Sequence, residues 1–123
     1  VKGDDEKFAY ADLIFYNGLG LEHGLSLHQN LAGNPKAIAI SGPLLEHHPE
    51  KILTVDGQYD PHIWMDIALW IEAIAPIESA LCQKDPLHAE EYRSNADSLR
   101  SVLQQADEKA FKLLQSIPED KRY

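Results

Sequence analysis

The chain has 123 residues, 44% hydrophobic and 25% charged, which suits one soluble folded domain of ordinary size. Its net charge of −9 argues against a nucleic-acid footprint, which needs clustered Lys and Arg. A single cysteine, Cys82, rules out an internal disulfide, and no apolar run is long enough to span a bilayer as a helix.

Asp4 to Tyr10 reads as a short helix whose acidic start suits the peptide dipole. Leu13-Ile14-Phe15-Tyr16 is an apolar run ended by Asn17-Gly18-Leu19-Gly20, the pattern of a buried strand and a turn. Leu21 to Leu31 reads as a helix with Leu21, Leu25 and Leu31 inward, stopped by Gly33-Asn34-Pro35. Lys36 to Ile40 is a second buried strand, stopped by Ser41-Gly42-Pro43. Strand, helix and strand in about thirty residues predict a right-handed βαβ unit with parallel strands. Ligands of such sheets gather at the carboxyl edge of the strands, where Asn17 to Gly20 falls.

Leu44 to Tyr59 reads as a long loop with one short strand, containing His47, His48 and Asp56-Gly57. Pro61 to about Lys84 has the apolar density of a helix, with Pro76 expected to kink it. Asp85-Pro86 then offers a cap and a first-turn proline for the last helix. Its inward candidates are Tyr92, Ala96, Leu99, Leu103, Ala106, Ala110, Leu113 and Ile117, a sustained a/d-type stripe. A helix from Asp85 to Ile117 is roughly 45 Å long at ~1.5 Å per residue. A compact domain of this size is only about 35 Å across. The far end of the stripe therefore needs a second lobe or a second copy to cover it. The start at Val1 rather than Met is expected of a piece of a longer protein.

The residues that can carry chemistry centre on Asp60-Pro61-His62-Ile63-Trp64-Met65-Asp66. With Asp60 as cap and Pro61 in the first turn, His62 falls at the second helical position. The dipole there disfavours imidazolium and favours the neutral ring, the form that binds a transition metal. Asp66, one turn on, is placed to accept the ring's other N–H, directly or through water, and fix its tautomer. One histidine is not a metal site, since Mn²⁺, Zn²⁺ and Fe²⁺ need about four donors. His23, His28, His47, His48 and His88 do not complete the set by their spacing. Trp64, Trp70 and Tyr59 read as core rather than as a ligand platform. No P-loop, dinucleotide fingerprint or cysteine knuckle is present.

The segment from Ala11 to Glu22, with Asp60-Pro-His-Ile-Trp-Met-Asp66 some forty residues later, resembles the metal-binding receptors of ABC importers. These are the TroA-like proteins for manganese, zinc or iron, YtgA-like members among them. The resemblance covers nearly the whole chain. It implies an α/β fold: part of a three-layer N-terminal lobe with a short parallel βαβ sheet over residues 1–84, and a long lobe-linking helix over 85–117. Residues 118–123 would begin the connection to a second lobe. It further implies a divalent metal bound between lobes on three His and one carboxylate, of which only His62 falls here. The remaining ligands are expected outside the chain. The expected partners are a permease of the cytoplasmic membrane and the second lobe, without nucleic acid. The expected location is periplasmic or otherwise extracytoplasmic, with a lipid anchor on a preceding N-terminus. The resemblance implies no enzymatic activity. The alternatives are a metal-dependent hydrolase using His62 with His47 and His48, and a helical module that docks or self-associates through its last helix.

Overall fold

The computed structural model describes residues 4–122. Helix α1 (Asp4–Tyr10) leads into strand β1 (Ile14–Tyr16), helix α2 (Leu25–Leu31) and strand β2 (Ala37–Ala39). The two strands pair in parallel, Phe15 opposite Ile38, so the βαβ unit forms as the apolar runs predict. Lys36 closes the lower end of the unit by donating its Nζ to the Ala11 carbonyl at 2.7 Å.

Helix α2 starts four residues later than expected. Gly24 has φ +104°, outside helical space, and Glu22 folds back onto the preceding turn. The two backbone N–H groups of Asn17 and Gly18 need an acceptor there, and that demand outweighs the helical pattern of Leu21 to Gly24.

The segment expected as a loop is mostly ordered. It forms helix α3 (Gly42–His47), a 3₁₀ turn at Pro49–Lys51, and an antiparallel hairpin of β3 (Thr54–Val55) and β4 (Gln58–Tyr59). Asp56 and Gly57 both have positive φ, as a two-residue hairpin turn with the strands' own twist requires. The hairpin is extended by Asp60, whose N–H donates to the Leu53 carbonyl at 2.7 Å.

Pro61 does not begin a helix. Ile63–Met65 is a single 3₁₀ turn, and helix α4 (Ile67–Glu72) starts only after Asp66. Helix α5 (Ile74–Lys84) follows across a break at Ala73. Pro76 lies in the first turn of α5, so the expected kink falls three residues upstream of it. Proline lacks an N–H for the Glu72 carbonyl and crowds that turn. Helix α6 (Ala89–Gln115) has 27 residues, about 40 Å at ~1.5 Å per residue, and packs on α4 and α5. Pro86–His88 forms a 3₁₀ turn ahead of it. Ala73, Ile74 and Ala96 are buried where the helices meet, and the Arg100 guanidinium holds the Glu78 carboxylate across α5 and α6 at 2.5 Å. Packing covers only the first half of the α6 stripe. Ala96 is buried, whereas Leu113 is 62% exposed, with Phe111 and Leu114 alongside it in the open.

Candidate metal centre

His62 is carried by a backbone fixed at three points. On one side, Asp60 is held to the hairpin through Leu53. On the other, the Ile63 side chain is 2% exposed and packs in a buried cluster with Leu44 and Ile52. Burial of one isoleucine contributes about 2–3 kcal/mol, so this end of the segment is firmly seated. Between them, the Pro61 carbonyl accepts from the Ile63 N–H at 2.8 Å, across His62 at φ −80° and ψ 47°. That is close to an inverse γ-turn with His62 at its centre. The Asn17 Nδ2 donates to the same Pro61 carbonyl at 2.9 Å, from 44 residues away.

Asp60 supplies the carboxylate beside the ring. Its Oδ1 accepts the His62 backbone N–H at 3.0 Å and lies 2.5 Å from His62 Nδ1. The backbone N–H, and then the ring, hold the Asp60 carboxyl below the usual aspartate range. An ionised carboxylate only accepts, so Nδ1 carries the proton and Nε2 is the ring nitrogen turned away from the carboxylate. The His62 side chain is 56% exposed, and the ring lies edge-on to Trp64 with centroids 5.1 Å apart.

Two expectations are corrected here. Asp66 does not touch the ring: its Oδ1 accepts from Ala68 N–H at 2.9 Å and Leu69 N–H at 3.2 Å, capping α4. Nor does a helix dipole act on His62, because the residue precedes an isolated 3₁₀ turn. Local hydrogen bonds decide the tautomer instead. The signal was present in Asp-Pro-His itself, since aspartate commonly bonds the backbone N–H two residues on.

The aromatic residues are not core. Trp64 is 39% and Trp70 36% exposed, and both border a hollow of about 510 Å³ whose floor includes Ile14, Tyr16 and Asn17. Tyr59 borders a separate hollow beside Asp60, Pro61 and His62. His47 and His48 line neither surface hollow next to His62, and His48 pairs with Glu50. Among the described residues no three His, Cys, Asp or Glu side chains converge on one point.

The supporting turn lies at the carboxyl edge of the parallel sheet. Glu22 accepts the N–H groups of Asn17 at 2.7 Å and Gly18 at 3.0 Å, one on each carboxylate oxygen. The Ser41 hydroxyl, 2% exposed, donates to the Asn17 carbonyl at 2.5 Å. Gly18 has φ +83°, and a Cβ there would meet Ser41 Oγ at 2.6 Å. Only glycine fits both conditions.

Comparison with known proteins matches residues 2–123 to the family described as the periplasmic component A of the zinc-uptake complex. The chain belongs to that family. It is 43% identical over 123 residues to the metal-binding protein YtgA of Chlamydia muridarum, covering all of this chain and 38% of that protein. It is 34% identical over 124 residues to the manganese-binding lipoprotein MntA of Bacillus subtilis, covering 98% of this chain and 40% of that protein. The crystal structure of Fe(III)-bound YtgA from Chlamydia trachomatis superposes with a TM-score of 0.95 at 41% identity, covering the whole chain and 43% of that structure. The α/β fold with its long helix is thus the family's, and the chain spans about two fifths of the length of these relatives.

Proposed function

We propose that the chain is the metal-presenting part of a solute-binding protein that captures a divalent or trivalent transition-metal ion and passes it to a membrane permease. Residues 1–84 belong to its N-terminal lobe, 85–117 carry α6 as the helix that links the lobes, and 118–123 lead into the second lobe. The protein works outside the cytoplasmic membrane, held by a lipid anchor. It makes and breaks no covalent bond in its cargo.

One observation carries this reading: an exposed imidazole whose Nδ1 is committed to an ionised Asp60, leaving Nε2 as a directed donor. Asp60, rather than Asp66, is the residue that orients it. The family to which the chain belongs takes up zinc, and the relatives bind manganese and iron. Imidazole suits all three, and selection among them falls to donor number and geometry. The exposed far half of α6 is the surface that the second lobe covers. A hydrolase reading needs His47 or His48 beside His62, and no such approach exists among the described residues.

The test is elemental analysis of the full-length protein purified from its native compartment, with His62→Ala alongside. One transition-metal ion per protein is expected. In metal titration of the stripped proteins, His62→Ala should weaken binding by more than the ~100-fold that loss of an outer partner costs. Unchanged affinity in His62→Ala overturns the reading.

A further inference from the structure

We infer that Asn17 is a positioning residue for His62: its side-chain amide sets the peptide plane that aims the imidazole. This inference rests on the metal-binding reading above. The Pro61 carbonyl belongs to the Pro61–His62 peptide. Turning that plane changes φ of His62 and swings the whole ring. Two donors hold the oxygen, Ile63 N–H at 2.8 Å and Asn17 Nδ2 at 2.9 Å. The first is local and moves with the turn. Only the second ties the turn to the sheet.

The amide orientation is determined by its partners. Nδ2 donates to the Gly18 carbonyl at 3.1 Å as well as to Pro61. The flipped amide would set an oxygen against two carbonyl oxygens. The backbone under it is equally constrained, by Glu22 on two N–H groups and by Ser41 on the Asn17 carbonyl. Asn17 is 8% exposed, and among the described residues its buried Oδ1 has no hydrogen-bond partner. An orphaned buried acceptor destabilises a fold by about 1–3 kcal/mol. A residue kept for packing alone has no reason to carry one. A residue kept for its two donors, aimed at the carbonyl under the metal-facing ring, does.

The experiment compares three variants of the full-length, metal-stripped protein: Asn17→Leu, Arg100→Met and His62→Ala. Asn17→Leu removes the clamp at similar volume. Arg100→Met loosens the helical layer without touching this turn or Pro61. Zn²⁺ affinity is measured by competition titration, thermal stability by calorimetry, and the His62 ring by long-range ¹H–¹⁵N NMR without metal. Asn17→Leu should weaken Zn²⁺ binding about 10–100-fold, the range for outer partners of a metal ligand. It should also shift or broaden the His62 ring signals in the metal-free protein. Arg100→Met should lower the melting temperature yet leave Zn²⁺ affinity within about twofold of wild type, as a purely structural change would. Should Asn17→Leu not fold, Asn17→Ser, which keeps a polar group but cannot reach Pro61, is read in its place. The inference is overturned if the Asn17 variant keeps wild-type affinity and ring signals, or if Arg100→Met loses affinity to the same degree. Failure of the metal-binding reading is a separate result: His62→Ala would then bind Zn²⁺ as wild type does.

Discussion

Substituting Gly18 tests how tightly the turn beneath the site is packed. Two costs apply to Gly18→Ala. The left-handed backbone at φ +83° disfavours a Cβ by about 1–2 kcal/mol. The new methyl also meets Ser41 Oγ at 2.6 Å and Ala39 Cβ at 3.2 Å, an overpacking that costs about 1–3 kcal/mol. Ser41→Ala alone removes one buried hydrogen bond to the Asn17 carbonyl, about 1 kcal/mol. That carbonyl keeps the Ser41 backbone N–H, at 3.2 Å. In the double variant the worst clash disappears, because the next Ser41 atom is its Cβ at 3.9 Å, an ordinary contact. The double variant should therefore be more stable than the sum of the singles predicts, by about 1–2 kcal/mol. Urea unfolding of the metal-free full-length protein measures all three values. Additive losses, within about 0.5 kcal/mol, would refute the claim that Ser41 Oγ is what forbids a side chain at Gly18.

Asp60→Asn should weaken metal binding about 10–100-fold with little loss of stability, since an amide no longer compels His62 Nδ1 to be the donor; titration calorimetry decides. Arg100→Met should destabilise the helical layer by about 1.5–3 kcal/mol, because it leaves the half-buried Glu78 carboxylate without its charged partner; pairing it with Glu78→Gln should recover part of that loss. The Asp85 carboxyl is held below its usual range by the His88 ring, then by the Tyr92 hydroxyl. Its stabilising effect is thus present above the ordinary aspartate value and fades as pH falls through the lower folded value. Asp85→Asn should flatten the acid side of a melting-temperature profile, and an unchanged slope below about pH 4 would count against that contact. The isolated 123-residue chain should self-associate through the exposed end of α6, and Leu113→Glu with Ile117→Glu should abolish the association in sedimentation experiments.

Sequence reasoning succeeds here where the deciding forces act over a few residues. The apolar runs at Leu13–Tyr16 and Lys36–Ile40 had the length and the stops of buried strands, and they pair in parallel. The heptad-like stripe after Asp85 does form one long helix. His62 stood out because aspartate and proline before it restrict its backbone. It fails where distant groups compete for the same atoms. Leu21 to Gly24 has a helical pattern, but Glu22 is drawn to two N–H groups of a left-handed turn. Pro61 has the position of a helix start, but the hairpin bond to Asp60 and the burial of Ile63 bend the chain into a γ-turn. The helix then waits for Asp66, which caps it and so is not beside the ring. The aromatic residues followed suit, left half-exposed around a hollow.

The parallel strand pair, the prominence of His62 and the single long helix after Asp85 were written in local pattern and composition. Which carboxylate orients that histidine, and which amide anchors the peptide before it, were decided only by folding. Asp60 and Asp66 are chemically alike and lie two and four residues from His62. The local preference of aspartate for the N–H two residues on competes with a helix start at Pro61, and the hairpin, the sheet edge and the buried isoleucine decide between them by setting the backbone.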